Sequence, residues 1–505
     1  MKWLCLIVFF LHFLSCPAGS PDFLVEVKVR YLKHNYYNQW KEGFLKERQG
    51  YGVAVAPNSF LIPAELIANS TVITISAQGS DPVLASVRHV DFDACLALIS
   101  ADEPEKLRDI TPVSLCESYN SGQKVELHGF NDAAARIIDE GTISDLFLQE
   151  SSYSYCKYLE ISVMSMAEFV LGKPVTDGKK LIGMCNDSIK DQARLHVISP
   201  EVIRHYLVDF QDGHYDGFPC NIINYMELKG HQSADFLGFD REKYSAEKGF
   251  PVGVILHNIG SSTPLSSPLQ TNDLLLAVDG AAAGSRGCLS LEHKSYGKNG
   301  FTPLYTTLWE RELDFRGLLN CFYYPGETVE MTVFRSGGIQ KLDLKLRRYE
   351  PQDFLVPYSF YNQEQPHYLV YGGLVFIELS CMYLQSWNDY LKKAPVGLVR
   401  LYDQNRCLLA KDAEKIVIIG AFLPDRINYD FKSRVIYSRV TSINGIKTTG
   451  LKSVRSALNL ETDRDIVEFQ DTAFKAVFPK TEVREANVRI QENYRIGSMD
   501  YLSDY

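Results

Sequence analysis

The chain has 505 residues, of which 46% are hydrophobic and 23% charged. That length exceeds what one core supports and calls for two or three domains of ordinary globular composition. The formal net charge is −10, and no basic tract or basic face stands out, which argues against a nucleic-acid partner.

The N-terminus reads MKWLCLIVFFLHFLSCPAGS. Lys2 precedes an apolar run from Trp3 to Leu14, and Cys16 and Ala18 are small residues at −3 and −1 of a cleavage site. Residues 1–18 therefore read as a secretory signal peptide. A lipoprotein cut before Cys16 fits less well, because the preceding residues make a poor lipobox. No later stretch is long and apolar enough to span a bilayer. The mature chain is expected in an exported compartment, either the periplasm and cell envelope or the secretory route and outside.

From Phe23 to about Val208 short apolar strands alternate with turn residues, as in VEVKVRYL (Val25–Leu32), GYGVAVA (Gly50–Ala56) and KVELHGF (Lys124–Phe130). Regular short strands with turn punctuation predict a barrel or sandwich. SPEVIRHYLVDF closes the region as a helix, with Ser199 at the N-cap and Pro200 at the first position. A second region, to Glu350, runs strand, loop, strand closed by Asp279-Gly280, helix, and a hairpin turned by Ser336-Gly337-Gly338. That order is how a PDZ domain reads. A third region repeats it more loosely, with Asn444-Gly445 in place of Asp279-Gly280 and a longer stretch from Asp353 to Asn405. No low-complexity linker separates the regions, so they are expected to pack on each other.

Of 11 cysteines, Cys5 and Cys16 lie in the leader. The others are scattered, odd in number and without a C-x-x-C pair, which predicts buried free thiols rather than a disulfide framework or zinc knuckle. The histidines form no H-E-x-x-H, so neither metal nor cofactor is expected.

In order and separation these fragments resemble the HtrA/Deg proteases, in the branch with an enlarged second PDZ domain. VDFDACLALI (Val90–Ile99) is similar to the strand carrying that family's catalytic aspartate, and ARLHVISPEVIRHYL (Ala193–Leu207) to its return strand and closing helix. YDGFP (Tyr215–Pro219) resembles the start of the first PDZ domain and REANVRIQENYRI (Arg484–Ile496) the C-terminal helix. The resemblance implies a mainly β protein: a trypsin-like double β-barrel at 19–212, a PDZ domain at 213–350 and an enlarged PDZ-like domain at 351–505. It also implies a homo-oligomer, a trimer or larger.

A serine protease needs a histidine base, an aspartate that orients it and a serine beside amide donors. By the resemblance, the histidine position falls on Glu65 in LIPAELI, the aspartate on Cys95 in ACLALI and the serine on Leu171 in FVLGKP. Leucine has no lone pair to attack with, and an ordinary carboxylate is a weak base at neutral pH. Cys95 is expected to fill an apolar strand rather than react. In the oxyanion loop Phe169, Val170 and Lys173 stand around Leu171, and two of the family's glycines are gone, which restricts φ and adds bulk. His89, His128, Ser162 and Ser165 are expected to be structural, not a displaced triad.

The expected function is that of a pseudoprotease, binding proteins or peptides through PDZ grooves as a scaffold or chaperone-like quality-control factor. The alternative is a divergent active serine endopeptidase. In the first PDZ region Ile222 replaces the glycine of the carboxylate-binding loop. In the second, Gly372 and Gly373 precede Leu374, Val375 and Phe376, a pattern suited to adding a peptide as a strand. Peptide binding is therefore expected there, with a plain buried strand as the competing reading.

Overall fold

The computed structural model describes residues 22–150, 156–228, 231–249, 252–257, 259, 268–290, 295–304, 313–358, 365–412 and 414–502. The leader at 1–18 lies outside them. The alternating pattern that follows builds a closed barrel from β1 (Leu24–Lys33), β2 (Phe44–Ala56), β3 (Ser59–Pro63), β4 (Ser70–Ser76), β5 (Val83–Asp91) and β6 (Leu96–Ala101), with a one-turn helix α1 (Ala64–Ile67) after β3. In β1, Val25, Val27 and Val29 are buried while Lys28 and Arg30 are exposed, the period of two that a strand with one wet face requires.

A second closed barrel follows, from β7 (Lys124–Phe130), β8 (Arg136–Glu150), β9 (Lys157–Ser165), β10 (Pro174–Thr176), β11 (Leu181–Ile189) and β12 (Arg194–Ile198). Helix α2 (Pro200–Gln211) closes the pair; Ser199 is its N-cap residue, though its side chain makes no capping bond. The two six-stranded barrels form the trypsin-like double barrel.

One seven-stranded sheet comes next, from β13 (Asn224–Glu227), β14 (Val254–His257), β15 (Leu274–Val278), β16 (Ala281–Ala283), β17 (Leu289–Ser290), β18 (Thr328–Arg335) and β19 (Gly338–Lys345). It carries α3 (His231–Phe236), α4 (Arg241–Lys248) and α5 (Phe315–Cys321). The last unit holds two four-stranded sheets. The first is ordered β22-β21-β20-β27, from β20 (Tyr368–Tyr371), β21 (Leu374–Glu378), β22 (Val417–Phe422) and β27 (Asp500–Tyr501). The second is ordered β24-β23-β25-β26, from β23 (Val440–Ile443), β24 (Ile446–Lys447), β25 (Arg464–Phe469) and β26 (Lys475–Pro479). The extra length after Asp353 forms α6 (Cys381–Leu384), α7 (Tyr390–Lys393) and α8 (Val396–Asn405); α9 (Lys432–Val435), α10 (Leu451–Leu458) and α11 (Lys480–Asn493) complete the unit.

The turn signals act as their chemistry dictates. Asp279-Gly280 joins β15 to β16 with φ of 48° and 79°, and Asn444-Gly445 joins β23 to β24 with 52° and 78°. A two-residue hairpin turn of this hand needs left-handed backbone at both positions, which Asp, Asn and Gly adopt most readily.

The units are packed, not strung. One apolar core runs from the second barrel into the sheet that follows, and Leu159 and Ile161 of β9 share it with Phe315, Leu318 and Leu319 of α5. The approach is close: a Cβ added at Gly317 would lie 3.1 Å from Leu159 Cδ2. Past β19, Arg348 reaches the buried carboxylates of Asp91 and Asp93 on the first barrel, 3.7 Å from each, and Tyr215 donates its hydroxyl to Asp91 at 2.6 Å. The β1–β2 loop clasps the last unit. Tyr36 bonds Met382 Sδ at 3.3 Å, Gln365 donates to Gln39 O at 2.6 Å, and the Tyr37 ring meets Trp387 edge-on at 5.7 Å. No helix among the described residues is long and apolar enough to cross a membrane.

Arg348→Leu leaves two buried carboxylates without their cation. Because the guanidinium is partly exposed, the expected loss of stability is about 3 kcal/mol, the low end for breaking a buried pair. It would be read as a lower urea midpoint at unchanged m-value. A variant as stable as wild type would show that solvent already compensates these charges.

Candidate functional site

The site begins where β3 ends. Pro63 enters α1 with extended backbone, and the Ala64 N–H donates to Cys95 O at 2.9 Å, which ties the Glu65 turn to the Cys95 turn. Arg48 reinforces this corner by donating to the carbonyls of Glu65 and Ala68. Cys95 does not sit inside an apolar strand, and that expectation is corrected. Asp91 Oδ1 accepts from the N–H groups of Asp93 (2.6 Å) and Ala94 (3.2 Å), so the chain turns before β6 begins at Leu96. Cys95 ends that turn with φ of 56°, 3% exposed, its thiol 3.6 Å from Phe92 O.

The second barrel contributes the turn Phe169–Pro174. Leu171 O accepts from the Tyr51 N–H at 2.9 Å, the Gly172 N–H donates to Cys185 O at 2.8 Å, and the Lys173 N–H donates to Val170 O at 3.1 Å. Gly172 has φ of 79°, and a Cβ there would lie 2.1 Å from Tyr51 O, so both dihedral and space require glycine. Leu171 packs half-buried against the first barrel's core, and Phe169 and Val170 against the second's. Lys173 is not bulk on the loop surface, which corrects the expectation for it. Its side chain is buried and pairs at 2.7 Å with Asp139, a half-exposed residue of β8.

The fold thus brings Glu65, Cys95 and Leu171 to one seam between the barrels. What meets there is a carboxylate, a buried thiol and an alkyl group. The two histidines and Ser165 are engaged elsewhere, and Ser162 is buried on β9 with its hydroxyl making no hydrogen bond among the described residues. His128 bonds Thr176 Oγ1 at 2.8 Å, and burial pushes it down to about 4. His89 bonds the Tyr206 hydroxyl at 2.9 Å, and Ser165 donates to Glu140 O at 3.2 Å. Burial pushes the Cys185 thiol up to about 12, which leaves it inert at neutral pH.

A polar cluster behind Cys95 escaped the sequence reading. Tyr158, which also bonds Cys95, donates to Glu160 Oε1 at 2.8 Å, and Asn186 Nδ2 donates to the same oxygen at 3.1 Å. His196 Nδ1 stands 3.5 Å from Glu160 Oε2. Glu160 is fully buried, and desolvation raises it to about 7 against the hydrogen bonds from Tyr158 and Asn186. Its signal was a lone acid among apolar residues in YLEISV.

The peptide-binding expectation is also corrected. Gly372 and Gly373 form the two-residue turn of a hairpin, since Tyr371 pairs with Leu374. Leu374, Val375 and Phe376 are buried, with β20 on one side of β21 and β22 on the other. The edge a peptide would join is occupied by β20. In the first PDZ-like unit Ile222 is buried, and α5 packs on β9.

Two closed barrels followed by PDZ-like sheets define the class: a mainly β, trypsin-like protein with a PDZ domain. A PDZ domain model matches residues 356–500. The chain is 22% identical over 485 residues to "Putative protease Do-like 11, mitochondrial" of Arabidopsis thaliana, covering 95% of this chain and 75% of that one. It is likewise 22% identical over 503 residues to "Protease Do-like 4, mitochondrial" of the same plant, covering 96% and 86%. The solved structure "HtrA-type protease AlgW with decapeptide" aligns at a TM-score of 0.45 and 14% identity, over 66% of this chain and 97% of that one. The chain is thus similar over most of its length to proteins named as Do-like proteases, and it carries a PDZ domain near its C-terminus.

Leu171→Ser removes a half-buried apolar side chain. The expected loss is about 1 kcal/mol, seen as a lower melting temperature; an unchanged melt would mark the side chain as effectively solvated. Glu160 predicts a pH dependence. Its folded value lies above the ordinary glutamate value of roughly 4.3, so the folded chain holds a proton that the unfolded chain releases. That contribution is complete below about pH 4 and fades as pH rises through about 7. Urea titrations across pH 4–8 should show wild-type stability falling more steeply than that of Glu160→Gln. Parallel profiles would mean that His196 supplies the compensating charge.

Proposed function

We propose that this chain is a protease-fold protein without peptidase activity, which binds polypeptide segments as a scaffold or chaperone-like factor. The observation that carries this reading is Leu171 at the position the family resemblance assigns to the nucleophile, on a turn still held by Gly172. Nucleophile, base and orienting acid are a unit in that chemistry, and here none of the three positions holds the required side chain. Purified chain should turn over neither casein nor a fluorogenic peptide library and should not be labelled by a fluorophosphonate probe. Probe labelling with matching turnover would establish a divergent endopeptidase instead.

Reversion should fall short as well. Glu65→His, Cys95→Asp and Leu171→Ser together leave Phe169 where the family has glycine. Losing one oxyanion donor lowers the rate by roughly 10²–10³. The triple variant is expected at least that far below a triad-bearing relative in kcat/KM.

The same reading places the protein in an exported compartment. Its relatives' names carry "mitochondrial", but residues 1–18 contain no arginine and a continuous apolar run. That pattern suits a secretory leader better than an Arg-rich amphipathic transit segment. A reporter fused after residue 21 distinguishes export from mitochondrial import.

A further inference from the structure

A cavity of about 880 Å³ lies between the β1–β2 loop of the first barrel and the C-terminal unit. Pockets of this size at domain junctions are where ligands are commonly held. One wall is the end of β22 and the residue after it, Gly420 to Leu423, and β22 is the terminal strand of its sheet. Earlier in that strand the outward edge is covered: Ile419 exchanges hydrogen bonds with Tyr437 and Ser438. At its end Leu423 turns its N–H inward to Gly373 O. By strand alternation, Phe422 directs its own N–H and C=O toward the cavity.

The remaining walls carry the rings of Tyr37, Trp40, Tyr437 and Tyr494, with the amides of Asn38 and Asn493 among them. The Trp40 indole N–H is buried there without an acceptor. At the mouth stand two exposed cations, Lys41 and Arg495, against one carboxylate, Glu42, and no ion pair joins any of the three to another described residue. A terminal strand with open backbone groups, walls that mix aromatic rings with amides, and a net positive charge suit one ligand chemistry.

We propose that this cavity binds the C-terminal end of an extended polypeptide. The peptide adds as a short strand against Phe422, lays hydrophobic side chains on the aromatic walls and leaves its terminal carboxylate to Lys41 and Arg495. The site is distinct from the edge of β21, which β20 occupies. The inference rests on the peptide-binding reading above for its ligand class, and adds the place and the recognised group.

The probe is a fluorescein-labelled pool of nonapeptides with six randomised positions followed by Phe-Val-Leu, prepared as free acids and as C-terminal amides. The protein is the full chain after the leader, read by fluorescence polarisation. Saturable binding of the acids is expected, weakened roughly tenfold or more by amidation and by Lys41→Glu/Arg495→Glu, as loss of a charge-assisted hydrogen bond implies. Trp40→Phe keeps the ring, removes the N–H and should weaken binding as well. Each variant's urea midpoint is checked against wild type, so that a folding defect is not read as lost binding. Saturable binding that ignores both the charge reversal and amidation puts the peptide elsewhere and overturns the site, while the peptide-binding reading stands. No binding of either pool by the wild-type chain overturns both.

Discussion

The contact between β9 and α5 governs much of what this molecule can do. Strand β9 is an interior strand of the second barrel, hydrogen-bonded to β8 and β12. Its alternate side chains serve two purposes. Leu159 and Ile161 join the apolar core shared with α5, while Tyr158 and Glu160 reach Asn186 and His196. Because α5 is buried along almost its whole length, the first PDZ-like unit is continuous with the barrel and not hinged to it. An apolar interface of this kind does not open and close cheaply, since each side chain returned to water loses about 1.5–3 kcal/mol.

That rigidity has a consequence for recognition. A PDZ unit binds peptide by leaving one strand edge open beside a helix. In the first unit the helix is committed to the barrel. In the second, β20 already pairs with β21, antiparallel and joined to it by Gly372-Gly373. The edge of β21 is thus spent on internal packing, while β13 of the first unit is a terminal strand paired only with β14. The open end of β22 faces the loop that the first barrel extends across the domain junction.

The barrel seam is likewise held by packing. A buried Lys173 paired with the half-exposed Asp139, and an apolar Leu171, stand where the family resemblance places amide donors and a nucleophile. The pair fixes the buried Lys173 side chain while Asp139 keeps contact with solvent, and Gly172 holds the turn in shape. The strongly shifted carboxyl near Cys95, Glu160, is fully enclosed, and a group that no substrate can touch perturbs stability, not turnover.

Sequence by itself determined the periodic features and the chemical vetoes. Val25, Val27 and Val29 alternate because one face of a strand is dry, and Asp279-Gly280 and Asn444-Gly445 turn because their backbones tolerate positive φ. That leucine has no lone pair needs no coordinates. Tertiary structure alone decided the rest. Whether Gly372-Gly373 is a carboxylate cradle or a hairpin turn depends on which strand lies beside β21, and a period of two carries no record of its partner. The Asp139 partner of Lys173 and the burial of Glu160 arise from residues distant in the chain. Local pattern reports which side of a strand is dry, and only the assembled fold reports what stands against it.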